Sequence, residues 1–219
     1  MPPLRDQLEA QRRTMSEEVR IAYEISVTEL AGTGFTAHAL ALGDRFPDVV
    51  LPNAEGDLVA IADLLHRGPL VVTFFRGIWC PYCRLMLDAL VAALPAIAAA
   101  GAGLVGITPE TGGLALRTKQ NHGAAFEVLS DVDCGLGLGC GVVFRTPDIY
   151  RRLLLKYGND LALRHGNEAW FLPLPAVFVL DPAGIVRWRF VSADFTEQAE
   201  PADILAALGA QTRMTGPGP

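Results

Sequence analysis

The pattern of hydrophobic and polar positions changes its period near residue 43. Before that point, residues 4–40 place apolar side chains among charged ones at helical spacing, with a break at Thr33-Gly34. The apolar stripe comprises Leu4, Leu8, Ile21, Ile25 and Leu30. The pattern predicts a helical N-terminal extension over residues 1–42. Its apolar face must cover either its own domain or a second subunit, so the pattern is compatible with a homodimer.

After residue 43, short apolar runs alternate with segments of helical period. The runs at 70–75 and 104–108 are rich in β-branched residues, which is typical of strands buried on both faces. A third run at 126–129 follows, and hairpins are expected at 49–61 and 176–190. This order predicts an α/β domain over residues 43–210, with a central mixed β-sheet flanked by helices and an N-terminal β-hairpin. Residues 211–219 are predicted to be a disordered tail.

Composition narrows the classes of partner. The 219 residues are 51% hydrophobic and carry a formal net charge of −6. An acidic chain repels phosphate backbones, which argues against a nucleic-acid partner. The N-terminus has no apolar signal region and no run approaches the length of a membrane span, so we expect no membrane association and a cytoplasmic location. Thiols are kept reduced there, which favours a catalytic or metal-binding role for a Cys-x-x-Cys segment.

One such segment, Cys80-Pro81-Tyr82-Cys83, lies where the predicted strand 70–75 passes into a long helix. The backbone N–H groups of a helix N-terminus stabilise a thiolate, which is the reactive form of cysteine. Pro81 suits the first helical turn, since its missing N–H would have no intrahelical partner. We therefore predict Cys80 as the nucleophile with the lower pKa, and Cys83, one turn further on, as the resolving thiol. Trp79 and Tyr82 are expected to wall the site.

Two further cysteines, Cys134 and Cys140, lie in a glycine-rich segment. They could complete a zinc site with the first pair, but a Cys-Pro-Tyr-Cys at a helix start needs no second pair. On a regular helix a six-residue spacing gives ~9 Å of rise, which is too far for a disulfide. We predict that both are reduced and separate, that neither resolves Cys80, and that the protein holds no metal or cofactor.

Pro175 precedes the predicted strand 176–180 and allows two interpretations. A proline at the first residue of a strand needs no special role. The alternative is a cis proline packed against the two cysteines, because cis X-Pro bonds are rare enough to indicate a specific requirement. We predict the second, a cis Leu174–Pro175 bond beside Cys80 and Cys83.

The run at 74–83, Phe-Phe-Arg-Gly-Ile-Trp-Cys-Pro-Tyr-Cys, resembles the active-site segment of the peroxiredoxin-like branch of the alkyl hydroperoxide reductase/thiol-specific antioxidant (AhpC/TSA) family. The resemblance covers roughly residues 43 to 208. Similar segments lie at 43–48, 51–56, 129–131, 172–181 and 190–201. It implies a thioredoxin-like fold, peroxide reduction at Cys80, and a thiol electron donor such as thioredoxin or glutathione.

The sequence departs from the family's Pro-x-x-x-Thr-x-x-Cys pattern, since Thr73 and Gly77 stand at the proline and threonine positions. The family's arginine has no clear match either, and Arg76 and Arg84 are the candidates to replace it. The Cys-Pro-Tyr-Cys and Pro175 resemble thioredoxins and glutaredoxins instead. Peroxide reduction and disulfide reduction are therefore equal hypotheses, and a non-catalytic thioredoxin-fold binding module is the third.

Overall fold

A computed structural model describes residues 2–215 of the chain, with side chains described through residue 210. Strands and helices alternate over most of this length. The strands are β1 (Val50–Pro52), β2 (Leu58–Ala60), β3 (Leu70–Phe74), β4 (Gly103–Thr108), β5 (Glu127–Ser130), β6 (Val143–Arg145), β7 (Phe171–Pro173), β8 (Ala176–Leu180) and β9 (Val186–Val191). The helices are α1 (Leu4–Arg12), α2 (Glu17–Gly32), α3 (Ile61–Leu65), α4 (Pro81–Ala99), α5 (Leu114–His122), α6 (Gly135–Gly139), α7 (Asp148–Lys156), α8 (Leu161–His165) and α9 (Pro201–Thr215), with a 3-10 turn at Phe35–His38.

The centre of the fold is a five-stranded mixed sheet of order β5-β4-β3-β8-β9. β3 pairs in parallel with β4, and β4 with β5, while β8 runs antiparallel to both β3 and β9. Parallel neighbours need crossover helices, which α4 and α5 supply, whereas β8 and β9 are joined by a tight turn. The predicted central mixed sheet and the β1–β2 hairpin are confirmed.

The sheet is covered on both faces, which explains why β3 is apolar at almost every position. Successive side chains of a strand point to opposite faces. Val71 belongs to a core shared with α1, α2, α4 and α9, and Val72 belongs to a second core on the other face with Phe46 and Ile61. Both cysteines of the Cys-x-x-Cys segment lie in the first core.

The N-terminal extension is helical, as predicted, and it covers its own domain. α1 packs along α4, and α2 packs on α7. The chain breaks not only near Thr33 but also between the two helices, where Ser16 caps α2 by accepting a hydrogen bond from the Val19 N–H. Leu4, Leu8 and Ala22 are buried against the domain.

Three elements differ from the sequence-based expectation. Helix α8 and strand β7 were not predicted, because segments of five and three residues are too short to display a period. The closing helix α9 extends to Thr215 and so includes residues 211–215, which were assigned to the tail. The rest of that tail, residues 216–219, lies outside the described residues.

The expectation that no segment approaches a membrane span was wrong as far as length and composition go. α4 has 19 residues and enough apolar character to cross a bilayer. In the fold, however, its apolar face, which includes Met86, Leu87, Leu90 and Ile97, is buried in the first core. Its apolar character is therefore used in packing against the sheet.

Candidate active site

The loop from β3 to α4 carries the predicted nucleophile to the start of a helix. α4 begins at Pro81, which occupies the first helical position as expected, and Cys80 is the N-cap residue. The Cys80 N–H donates to the Gly77 carbonyl at 3.1 Å, which closes the loop into a tight turn. The sulfur of Cys80 is thereby held at the positive end of the α4 dipole.

Cys80 and Cys83 are both reduced and each is only 3% exposed. Burial raises the pKa of Cys80, but three influences outweigh it and lower that pKa from 9.0 to about 7. The Cys83 thiol donates a hydrogen bond to the Cys80 sulfur, the Arg76 charge attracts the thiolate, and backbone N–H groups at the start of α4 stabilise it. Burial raises the pKa of Cys83 well above its usual value, and its bond to Cys80 reinforces that rise. The proton thus stays on Cys83.

Arg76 supplies the positive charge of the site. Its side chain is 2% exposed, its Nε donates to the Pro173 carbonyl at 3.3 Å, and its Nη1 donates to the Tyr150 hydroxyl at 3.3 Å. The guanidinium lies 4.3 Å from the ring centroid of Phe195. Within the described chain no carboxylate forms an ion pair with Arg76, and its Nη2 has no hydrogen-bond partner. A buried cation without a carboxylate favours an anion beside it, and the Cys80 thiolate is such an anion.

The loop conformation explains why glycine stands where the family pattern has threonine. Gly77 has φ of +137°, a value that L residues rarely adopt, and a Cβ there would overlap the carboxyl group of Glu110. Glu110 is fully buried, accepts the Ile78 N–H at 3.0 Å, and pairs with Arg164 at 3.4 Å. Burial raises the pKa of Glu110. The glycine and the carboxylate therefore fix the loop together.

Aromatic rings pack around the site. Tyr82 is buried and meets the Phe195 ring edge-on at 6.0 Å between centroids. Phe195 also stacks on Tyr150 at 5.4 Å. Burial raises the pKa of Tyr150 to about 12, so its hydroxyl stays protonated. Trp79 is half-buried and packs against the same core. Tyr82 thus packs within this group of rings, and a role of Tyr82 and Trp79 in walling the site stays a prediction.

The prediction of a cis proline was wrong. The Leu174–Pro175 bond is trans. The Pro175 carbonyl accepts the Ser192 N–H at 3.1 Å and so extends the pairing of β8 with β9. A proline at the start of a strand leaves no ladder donor missing, which is the simpler interpretation.

Cys134 and Cys140 form no disulfide with each other, as predicted; both are buried and flank the short helix α6. Burial raises the pKa of Cys134 to about 12, and that of Cys140 rises for the same reason. Neither thiol is therefore a thiolate near neutral pH. Among residues 2–210, no three His, Cys, Asp or Glu side chains are placed to hold a metal ion, so the four cysteines form no zinc site there.

Sequence reasoning missed Glu110, Tyr150 and Phe195. For Glu110 a signal was available, because it follows β4 and the carboxyl ends of neighbouring parallel strands meet at one edge of a sheet. Tyr150 and Phe195 reach the site from α7 and from the loop after β9. Nothing in their local sequence indicates that they converge on Arg76.

Comparisons with known proteins agree with this fold. BcpB from Mycobacterium tuberculosis, a peroxidoxin, superposes with a TM-score of 0.62 at 20% identity, over 78% of this chain and 97% of that one. A mutant of peroxiredoxin 6 of Arenicola marina gives 0.64 at 15% identity, over 81% and 76%. The yeast mitochondrial 1-Cys peroxiredoxin, described as resolving its thiol via glutathione/thioredoxin systems, gives 0.55 at 16% identity, over 80% and 78%. At these identities the likeness establishes the thioredoxin-like fold.

No curated protein sequence matches the chain. The family model of the AhpC/TSA family does match, over residues 42–189, which is more than half of the chain and includes the loop, Cys80 and Cys83. The chain therefore belongs to the AhpC/TSA family of peroxiredoxin-like, thiol-dependent oxidoreductases.

Proposed function

We propose that this protein reduces hydroperoxides, with Cys80 as the peroxidatic thiol and Cys83 as the resolving thiol. The observation that carries the proposal is the pairing of a buried Arg76, which lacks a carboxylate partner, with a cysteine whose pKa is lowered to about 7. A thiolate beside a fixed guanidinium is a strong nucleophile, and the same charge stabilises the oxygen anion that leaves when the O–O bond breaks. Arg76 thus takes the part of the family's arginine, whereas Arg84 is exposed.

The cycle conserves atoms and electrons. The Cys80 thiolate attacks the terminal oxygen of ROOH, the O–O bond breaks, and RO⁻ leaves as Cys80 becomes a sulfenic acid. The Cys83 thiol, whose pKa is raised by burial and by its bond to Cys80, gives its proton to RO⁻ to form ROH. The resulting Cys83 thiolate attacks the sulfenic sulfur, and a Cys80–Cys83 disulfide and hydroxide form. The hydroxide takes up the proton that the Cys80 thiol released on ionising and becomes water. The net reaction converts ROOH and two thiols into ROH, water and a disulfide.

A thiol donor must then reduce the disulfide. We propose thioredoxin or glutathione, the two systems named for the yeast relative, acting in the reducing environment of the cytoplasm. A homodimer stays a prediction, since α1 and α2 already cover their own domain.

Reduction of disulfides is the second candidate, because the Cys-Pro-Tyr-Cys segment at a helix start suits dithiol exchange. The burial of Cys80 favours a small peroxide over a protein disulfide as the substrate. A protein disulfide must bring two bulky residues to the attacking sulfur, and Cys80 is 3% exposed. The lowered pKa of Cys80 argues against a non-catalytic binding module, which has no use for a thiolate.

The two activities separate in one comparison. Reduced protein is mixed with one equivalent of hydrogen peroxide while its tryptophan fluorescence, to which Trp79 contributes, is followed. The same protein is assayed for reduction of insulin disulfides. We expect rapid peroxide oxidation, loss of two thiols per peroxide and slow insulin reduction. Slow peroxide oxidation with rapid insulin reduction would select the second candidate.

A further inference from the structure

The N-terminal extension packs in the same buried core as the cysteine pair. Leu8 of α1 and Ala22 of α2 share one buried core with Tyr82 and Cys83. α1 lies along α4, whose first turn carries the cysteine pair. With both sulfurs almost fully buried, a substrate must pass these helices or the loops beside them to reach Cys80.

α2 also faces the arginine of the site. Its residues Ser26, Val27 and Leu30 lie across a small cavity from Arg76 and Phe195. The cavity measures about 10 Å³, which is room for roughly one water molecule. In this closed arrangement the space beside Arg76 suits only a very small molecule.

A polar cluster holds the extension on the loop after β9. The Tyr23 hydroxyl donates to Asp194 Oδ2 at 2.6 Å, and Arg12 Nη2 pairs with the same oxygen at 3.4 Å. Arg12 Nη2 also donates to the Thr196 hydroxyl. The backbone N–H of Thr196 donates in turn to Asp194 Oδ1 at 2.8 Å. One partly buried carboxylate thus accepts from both extension helices. We call Arg12, Tyr23, Asp194 and Thr196 the latch.

The latch is connected directly to the wall of the site. Phe195 lies between Asp194 and Thr196, and its ring covers the Arg76 guanidinium. The same ring meets Tyr23 edge-on at 5.1 Å between centroids. Release of Asp194 would therefore loosen the helix above the site and the aromatic ring over Arg76 together.

Both sides of the latch lie outside the part of the chain that the family model matches, residues 42–189. Arg12 and Tyr23 precede it, and Asp194 and Thr196 follow it. The cysteine pair, Arg76 and Glu110 lie within it. The matched domain thus contains the chemistry, and the added segments at its two ends bond to each other across it.

We propose that Asp194 is a specificity-determining residue: by latching the extension over Cys80 in the reduced protein it admits small peroxides and excludes bulky hydroperoxides and protein disulfides. The thiol donor acts on the oxidised protein, in which Cys80 and Cys83 form a disulfide. The selection of peroxides rests on the proposed function. The closure itself concerns only access to the Cys80 sulfur, so it is measurable without turnover.

The test compares alkylation of reduced protein by iodoacetamide, which is small, and by fluorescein maleimide, which is bulky, with peptide mapping to Cys80. The change is Asp194→Ala. The matched control is Glu18→Ala, which removes an exposed ion pair between α2 and Lys156 and leaves the latch intact. Because hydrogen bonds to a charged group are among the stronger ones, their loss should raise bulky labelling by ~10-fold or more. Iodoacetamide labelling should change by less than ~3-fold, since partial opening adds little for a small reagent.

The control variant should label like the wild type with both reagents. A second measurement compares the rates at which the reduced protein reacts with hydrogen peroxide and with cumene hydroperoxide. The ratio of the first rate to the second should fall in Asp194→Ala. An unchanged labelling ratio, or an equal rise with both reagents, would overturn the proposal. Where Asp194→Ala does not fold, Tyr23→Phe removes a single hydroxyl from the latch, and the same ratio decides. Because alkylation needs no peroxide, the absence of peroxidase activity would refute the proposed function and leave this result standing.

Discussion

The buried guanidinium of Arg76 stabilises the thiolate of Cys80, and no carboxylate in the described part of the chain pairs with Arg76 to compete for its charge. The arginine is held by a backbone carbonyl, a tyrosine hydroxyl and aromatic faces, all of which leave its charge intact. The site therefore couples one fixed cation to one sulfur.

Replacing that cation is expected to raise the pKa of Cys80. Arg76→Met keeps an apolar side chain of similar length and removes the charge. Fewer groups then oppose the rise in the pKa of Cys80 that its burial causes. A rise of even one unit corresponds to about 1.4 kcal/mol and lowers the thiolate fraction at pH 7 by ~5-fold. Thiolate absorbance at 240 nm as a function of pH measures the shift. Arg84→Met, at an exposed arginine of helix α4, is the control, and its Cys80 should titrate as in the wild type.

The hydrogen bond from Cys83 is expected to make a separate contribution. Cys83→Ala removes the donor to the Cys80 sulfur, whereas Cys83→Ser retains a hydroxyl donor. A bond to a charged group contributes about 1.5–3 kcal/mol, so Cys83→Ala should raise the pKa of Cys80 by about one to two units more than Cys83→Ser. Both variants should accumulate a sulfenic acid that dimedone traps. Equal pKa values in the two variants would mean that the bond does not stabilise the thiolate.

The glycine before the site is expected to be required for folding of the loop. Gly77→Ala combines an unfavourable φ with an overlap on the buried Glu110, and should lower the free energy of unfolding by about 2–5 kcal/mol. Gly43 also has a positive φ, but a Cβ there has nothing within 4 Å. Gly43→Ala should thus cost only about 1–2 kcal/mol. Urea unfolding of both variants distinguishes the overlap from the backbone strain, and equal losses would contradict the role of Glu110.

The second pair of cysteines is expected to be dispensable. Cys134→Ala with Cys140→Ala removes two thiols whose pKa values are raised by burial. Alanine is chosen over serine because both sites are buried. Turnover with hydrogen peroxide and a thioredoxin-type donor should stay within ~2-fold of the wild type, since neither thiol ionises near neutral pH. A large loss in a folded double variant would reveal a second redox pair.

The sequence predicts the parts of the site whose residues lie close together in the chain. The apolar run of β3 followed by Cys80 and Pro81 predicts a strand, a loop and a helix start, and the structure has all three. The parts that depend on distant segments were not predictable in this way. Phe195 and Tyr150 meet Arg76 only because the loop after β9 and helix α7 fold over it.

Pro175 illustrates the opposite failure. Its place before a strand is compatible with both a trans and a cis bond, and local sequence alone does not distinguish them. The resemblance to thioredoxins favoured the cis form, but the pairing of the Pro175 carbonyl with Ser192 provides a complete structural role for a trans proline.

The central claim, that the Cys80 thiolate stabilised by Arg76 is the group that attacks peroxide, is tested most directly by the pH dependence of peroxide oxidation. The second-order rate constant is measured by stopped flow on the reduced protein with hydrogen peroxide, between pH 5 and 10. Because only the thiolate reacts, the rate should rise with pH and level off with a midpoint at about 7, the lowered pKa of Cys80. The rise should vanish in Cys80→Ser. A midpoint near the ordinary cysteine value of 9.0, or a rate that survives Cys80→Ser, would contradict the account.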